Sequence, residues 1–151
     1  MTPFSLGFSP CPNDTYIFYG LVHGMTDEGV SFHHPLLEDV ETLNLWAMKR
    51  KLDVTKLSFH AVAHVLDEYC ILNSGAALGR GCGPLLVTSG DHNKSELVDM
   101  KIAVPGQYTT AASLLKMFLP ECTRIEVMRF DEIMEAVVQG RVDAGVIIHE
   151  S

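Results

Sequence analysis

The sequence lacks the long apolar runs, the leader and the basic stretches that mark membrane, secreted and nucleic-acid-binding proteins. No apolar run in its 151 residues approaches the roughly 20 residues that a transmembrane helix needs. The N-terminus has no basic segment followed by an apolar stretch and a small-residue cleavage site. Its 11 Lys and Arg residues are outnumbered by 19 Asp and Glu residues, which gives a formal net charge of -8. We therefore expect a cytoplasmic protein without membrane or nucleic-acid partners.

Cysteine is scarce, and its spacing shows no pattern. The four cysteines are Cys11, Cys70, Cys82 and Cys122. None of them forms a C-x-x-C pair, which argues against a zinc site and against a disulfide framework. Cys11 is a candidate nucleophile at a helix start, although no histidine is close to it in sequence. His60 and His64 have the i, i+4 spacing of helical metal ligands, but Ala61 stands where a zinc protease motif has Glu, so we expect no metal site.

What the sequence does contain is a stiff turn directly after its first apolar run. Residues 4–8 are followed by Pro10 and Pro12, which fix φ and withhold N–H donors, so neither a strand nor a helix can run through them. Residues 13–15 are N-cap candidates for the apolar pattern that follows. In an α/β sheet such a junction is where ligands bind, although a turn without a ligand has the same local sequence.

Strand and helix patterns alternate along the rest of the chain. The expected strands are 29–35, 53–58, 101–104, 124–129 and 144–148, and the expected helices are 38–51, 59–69, 109–119 and 130–140. The glycine-rich segment 75–83 is not a phosphate loop, because residues 84–88 continue as a strand and no helix start is available. We interpret this segment as a crossover between two α/β lobes, which comprise residues 1–88 and 89–151.

Polar side chains follow several of the predicted strands. Ser58, Thr109 and Thr110 lie at predicted helix starts, where hydroxyl and N–H groups can hold a carboxylate. Lys56 would add a positive charge. His149 is the best candidate for acid/base work, since an imidazole titrates near neutrality. As the alternative, the hydroxyls only cap helices and His149 has a structural role.

Several motifs, in this order along the chain, resemble those of the 1,4-dihydroxy-6-naphthoate synthases of the futalosine route to menaquinone. They are SPCPNDT at 9–15, LEDVETLN at 37–44, TKLS at 55–58, the segment 75–84, and GVIIHES at 145–151. The resemblance implies a two-lobed fold like that of type II periplasmic binding proteins, with a small anionic substrate enclosed between the lobes. It also implies a lyase that converts cyclic dehypoxanthine futalosine to 1,4-dihydroxy-6-naphthoate without a metal or redox cofactor.

The resemblance also assigns site residues. His149 stands where the family has its general base, and Lys56, Leu57, Ser58, Thr109 and Thr110 stand where it has substrate contacts. Asn13 is a further candidate contact.

Family members continue beyond the His-Glu-Ser segment, through elements that complete the first lobe. We therefore expect a fragment that lacks this C-terminal part and that is poorly soluble or inactive alone.

Two other functions remain open at this point. Chorismate dehydratase of the same pathway shares the implied fold, and so do non-catalytic proteins that bind small molecules. The proline-rich turn and the His-Glu pair favour the naphthoate synthase over the dehydratase. The absence of a secretion leader and the presence of His149 argue against a solute-binding protein.

Overall fold

The computed structural model describes residues 2–25 and 29–148, which form two compact units that meet in the chain between Leu78 and Gly79. The strands are β1 (Leu6–Phe8), β2 (Leu36–Leu37), β3 (Val54–Thr55), β4 (Leu85–Thr88), β5 (Ile102–Val104), β6 (Ile125–Val127) and β7 (Ala144–Ile147). The helices are α1 (Pro12–Val22), α2 (Val40–Met48), α3 (Phe59–Val62), α4 (Lys94–Leu97), α5 (Thr110–Phe118) and α6 (Phe130–Val138). Among the described residues, no helix is long and apolar enough to cross a bilayer.

The first unit contains a parallel sheet in the order β2-β1-β3. Its central strand β1 is buried along its whole length. A Cβ on Gly7 would lie 2.4 Å from a methyl group of Leu52 and 3.0 Å from one of Leu43, so the absence of a side chain at Gly7 lets this core close. Because the strands are parallel, their carboxyl ends lie at the same edge of the sheet.

Two predicted elements of this unit are wrong in extent. The predicted strand 29–35 contributes only an isolated bridge between Phe4 and Phe32, and β2 begins after Pro35, whose nitrogen cannot donate to the ladder. The predicted helix 59–69 ends at Val62, because the following residues form i to i−3 turns, such as His64 N–H to the Ala61 carbonyl.

Ser5 and Asp53 tie β1 to the start of β3. The backbone N–H of Ser5 donates to Asp53 Oδ2 at 2.8 Å and its hydroxyl donates to the same atom at 2.6 Å. The N–H of Asp53 donates to Ser5 Oγ at 2.8 Å in return. The hydroxyl and then the backbone N–H of Ser5 lower the pKa of Asp53, because both stabilise the carboxylate form.

The second unit contains a sheet in the order β4-β7-β5-β6, in which β4 runs antiparallel to β7 and the other neighbours are parallel. Strand β4 therefore belongs to this unit, whereas the predicted boundary placed residues 85–88 in the first lobe. The reason is that its ladder partner is β7, with Leu85 opposite Ile147 and Thr88 opposite Ala144.

Side chains of β5 alternate between the two faces of this sheet. Ile102 and Val104 pack with Leu115 of α5, whereas Ala103 packs with Ile133 of α6. Since successive strand residues point to opposite faces, α5 and α6 cover opposite sides of the sheet.

Candidate functional site

The proline turn after β1 starts α1 earlier than predicted. Helix α1 begins at Pro12 and its N-cap is Cys11, whose Sγ accepts from the N–H of Asp14 at 3.5 Å. The predicted cap within residues 13–15 is therefore wrong, because Pro12 fits the first helical position, where no N–H is needed. Cys11 Sγ also lies 2.9 Å from Ser9 Oγ.

A buried carboxylate organises this turn. Asp14 is 5% exposed and accepts hydrogen bonds from the N–H and the hydroxyl of Ser9, at 3.1 and 2.9 Å. Its other oxygen lies 2.7 Å from Nζ of Lys56, which follows the neighbouring strand β3. Asp14 thus offsets the positive charge of Lys56, the residue that we predicted to face an anionic substrate. An ammonium has three N–H donors, so the ion pair leaves donors for a further contact.

Ser58 is held by Asn44, which lies 14 positions earlier on α2. The N–H of Ser58 donates to Asn44 Oδ1 at 3.0 Å, and Asn44 Nδ2 donates to Ser58 Oγ at 3.1 Å and to Glu41 Oε2 at 3.1 Å. Ser58 is the N-cap residue of α3 but forms no side-chain cap hydrogen bond. The interpretation of Ser58 as a simple helix cap is therefore wrong.

Thr109 does act as a cap. It is 2% exposed, its Oγ1 accepts from the N–H of Ala112 at 3.3 Å, and its hydroxyl donates to the carbonyl of Gly106 at 2.8 Å. Thr110 is the first residue of α5 and is partly exposed. The predicted contacts of both residues with a substrate stay predictions.

The structure places the predicted residues in two groups, each at the carboxyl edge of a parallel pair of strands. Lys56, Leu57 and Ser58 follow β3 in the first unit, and Thr109 and Thr110 follow β5 in the second. His149 lies outside the described residues. Asn13 lies in the first turn of α1 and has contacts of its own.

The paired histidines and the cysteines form no metal centre in the described part of the chain. The rings of His60 and His64 lie 5.2 Å apart in an edge-on arrangement. In residues 2–25 and 29–148, no three His, Cys, Asp or Glu side chains are grouped so that they could hold a metal ion. The cysteines are free thiols.

The sequence interpretation missed the partners that hold these side chains. Asn44 is fully buried and Glu41 is 9% exposed. Asn44 lies in the apolar stripe of α2, four residues after Val40 and one after Leu43, and a polar residue in such a stripe needs a buried partner. The position of Asn44 in the stripe was the available signal for a buried polar pair.

Comparison with known proteins gives a consistent family match. The family model described as "Menaquinone biosynthesis" matches residues 4–151. The chain is 52% identical over all its residues to a Thermus thermophilus protein named 1,4-dihydroxy-6-naphthoate synthase, of which it covers 54%. A Streptomyces coelicolor protein of the same name is 39% identical, with 97% of this chain and 52% of the relative covered. These matches confirm the predicted resemblance, and the chain spans about half the length of both relatives.

Solved structures agree on the fold. Protein AF1704 from Archaeoglobus fulgidus is 38% identical, with a TM-score of 0.88 over 97% of this chain and 54% of that protein. An ancestral amino acid-binding protein, described as a precursor of cyclohexadienyl dehydratase, has a TM-score of 0.64 at 17% identity over 97% of this chain and 70% of its own. The second likeness concerns the fold alone. The predicted fold class, α/β and like that of type II periplasmic binding proteins, is confirmed.

Proposed function

Since the chain belongs to the menaquinone biosynthesis family, we propose that it carries part of a lyase that converts cyclic dehypoxanthine futalosine to 1,4-dihydroxy-6-naphthoate. The observation that carries this proposal is the end-to-end match of the chain to two relatives that share one enzyme name. The relatives are about twice as long, so the activity is proposed for the chain together with the remaining length that its relatives have.

We propose His149 as the general base. It stands two residues after the end of β7, and the carboxyl ends of the parallel strands β5 and β7 share one edge of the sheet, where Thr109 and Thr110 also follow β5. Proton removal by His149 would open the ring system and release the sugar-derived part. Formation of the aromatic naphthalene would then drive the reaction forward.

The proposed contacts divide into two kinds. Ser58 offers a hydroxyl and Lys56 an ammonium, and both suit acceptor oxygens of an anionic substrate. The hydroxyl of Thr109 is already committed to its cap and to Gly106, so its proposed role is to present the start of α5.

The test replaces His149 with Ala in the chain extended to the length of its relatives. We expect turnover of cyclic dehypoxanthine futalosine to be lost while binding of 1,4-dihydroxy-6-naphthoate, measured by calorimetry, persists. His92→Ala is the matched control, because the His92 ring contacts Glu96 at the start of α4 and has no assigned role. Retained turnover in His149→Ala would exclude His149 as the base.

The same assay separates the alternatives. Turnover of chorismate in place of the futalosine derivative would identify a dehydratase. Binding of the naphthoate without turnover of either substrate would identify a binding protein.

A further inference from the structure

Asn44 and Ser58 form a reciprocal pair that fixes the orientation of both side chains. A backbone N–H is a donor only, so the Asn44 atom that faces the N–H of Ser58 must be its carbonyl oxygen. The amide NH2 then faces Ser58 Oγ and Glu41 Oε2, at 3.1 Å each. The amide of Asn44 therefore has one orientation and uses both of its N–H donors.

This orientation gives the hydroxyl of Ser58 a direction. Ser58 Oγ accepts a hydrogen bond from Asn44, and among the described residues no acceptor takes the hydroxyl proton. Ser58 is partly exposed, so that proton is within reach of a ligand. The backbone N–H of Ser58 is occupied by Asn44, which leaves the hydroxyl as the group that can meet a ligand.

Burial makes the arrangement rigid. Asn44 is 0% exposed, and removing any of its three polar contacts would leave a buried polar group unsatisfied. Helix α2 is capped by Asp39. Its Oδ1 accepts hydrogen bonds from the N–H groups of Glu41 and Thr42, at 3.0 and 3.2 Å. Asn44 thus lies on a helix whose start is itself held in place.

We infer that Asn44 is a positioning residue that directs the hydroxyl proton of Ser58 to an acceptor oxygen of the substrate, such as a carboxylate or carbonyl oxygen. This inference rests on the proposed function, in which Ser58 contacts the substrate. It adds a direction to that contact: Ser58 Oγ already accepts from Asn44 while its proton has no acceptor among the described residues, so the contact favours a substrate group that accepts a hydrogen bond.

The test is a double-mutant cycle of Asn44 and Ser58, on the chain extended to the length of its relatives. Asn44→Asp keeps the size of the side chain but places an acceptor against Ser58 Oγ, so the hydroxyl turns inward and donates to the new carboxylate. We expect KM for cyclic dehypoxanthine futalosine to rise roughly tenfold, as expected for a lost hydrogen bond to a charged group, with kcat nearly unchanged. In a Ser58→Ala background the same replacement should leave KM where Ser58→Ala alone puts it.

Two further variants keep the test decisive. Asn44→Ala replaces Asn44→Asp if the new carboxylate beside Glu41 prevents folding, which thermal melting reports. Asn93→Ala is the matched control, because it removes the capping box of α4 and lowers stability without touching Ser58. KM should be unchanged in that control.

The outcomes distinguish this inference from the proposed function. If the effects of Asn44→Asp and Ser58→Ala on KM multiply, Asn44 does not act through Ser58 and the inference is wrong while the function stands. If Ser58→Ala alone leaves KM unchanged, the proposed contact is wrong and the inference falls with it. If the unaltered protein turns over no substrate, the proposed function itself is wrong.

Discussion

Lys56 and Asp14 form an ion pair that is largely withdrawn from water, with side chains 20% and 8% exposed. Breaking a buried pair from one side leaves an uncompensated charge, so we expect Asp14→Ala to lower the free energy of unfolding by about 3 kcal/mol. Replacing both residues, Asp14→Ala with Lys56→Met, should recover part of that loss because no charge is left behind. Urea denaturation followed by circular dichroism compares both variants with the unaltered chain.

The matched control for this pair is on the surface of the same unit. Arg50 and Glu68 are 2.6 Å apart with side chains 67% and 40% exposed, so Glu68→Ala should cost at most about 1 kcal/mol. An Asp14→Ala variant that unfolds at the same urea concentration as Glu68→Ala would show that the Asp14 pair contributes no more than an exposed pair.

For individual residues, the sequence predicted candidate site side chains but not their hydrogen-bond or ion-pair partners. Ser58 was predicted from its place between a strand and a helix, and Lys56 from its charge. Their partners, Asn44 and Asp14, lie 14 and 42 positions away, and only the order of strands and the rotation of α2 bring them together. Periodicity along one element carries no information about such pairs.

Elements were predictable where their ends carry caps. Helices were predicted to begin at residues 38 and 109, and α2 and α5 begin within two residues of these positions. Their N-caps, Asp39 and Thr109, both accept hydrogen bonds from N–H groups of the first turn. The edge strand β2 was not predictable, since its two leucines are both exposed and show no alternation between buried and exposed residues.

The packing of α6 against β7 depends on a glycine. A Cβ on Gly145 would lie 2.4 Å from Ile133 Cγ2 and 3.2 Å from Val137 Cγ2, so the helix could not remain at its present distance. We expect Gly145→Ala to lower the free energy of unfolding by about 1 to 3 kcal/mol through overpacking. Differential scanning calorimetry measures the shift in melting temperature.

Gly83→Ala is the control for this prediction, because a Cβ there meets no atom within 4 Å and the backbone does not have a positive φ. Its melting temperature should stay the same or rise slightly, since alanine restricts the unfolded chain. Equal melting temperatures for the two variants would mean that α6 shifts away from β7 at no cost.

Over the whole molecule, the sequence predicted two α/β units but not where the first one ends. Residues 85–88 have the apolar character of any strand, and nothing in their sequence shows that they pair with residues 144–147. The family was recognisable because several motifs occur in the same order, and each of them alone is too short to be specific. The fold class and the family were therefore predictable from the order of elements and motifs along the whole chain.

Large apolar side chains remain exposed in both units. Among them, Tyr16, Phe59 and Leu78 of the first unit and Val138 of the second are each at least 78% exposed. Exposed apolar surface of this kind promotes association with other apolar surfaces. We expect the 151-residue chain, expressed alone, to bind the dye anilinonaphthalene sulfonate and to associate as its concentration rises, measured by fluorescence and sedimentation velocity.

Val138→Lys tests whether this surface is the cause. The replacement lies at the end of α6, where a positive charge also suits the helix dipole, so the melting temperature should not fall. Dye fluorescence and association should both decrease. Asp91→Asn is the control, because it changes the net charge by the same amount at an exposed position without altering apolar surface. The prediction would be contradicted if the chain stayed monomeric at every concentration and did not increase the fluorescence of the dye. If association decreased equally in Val138→Lys and Asp91→Asn, its cause would be the net charge and not the apolar surface.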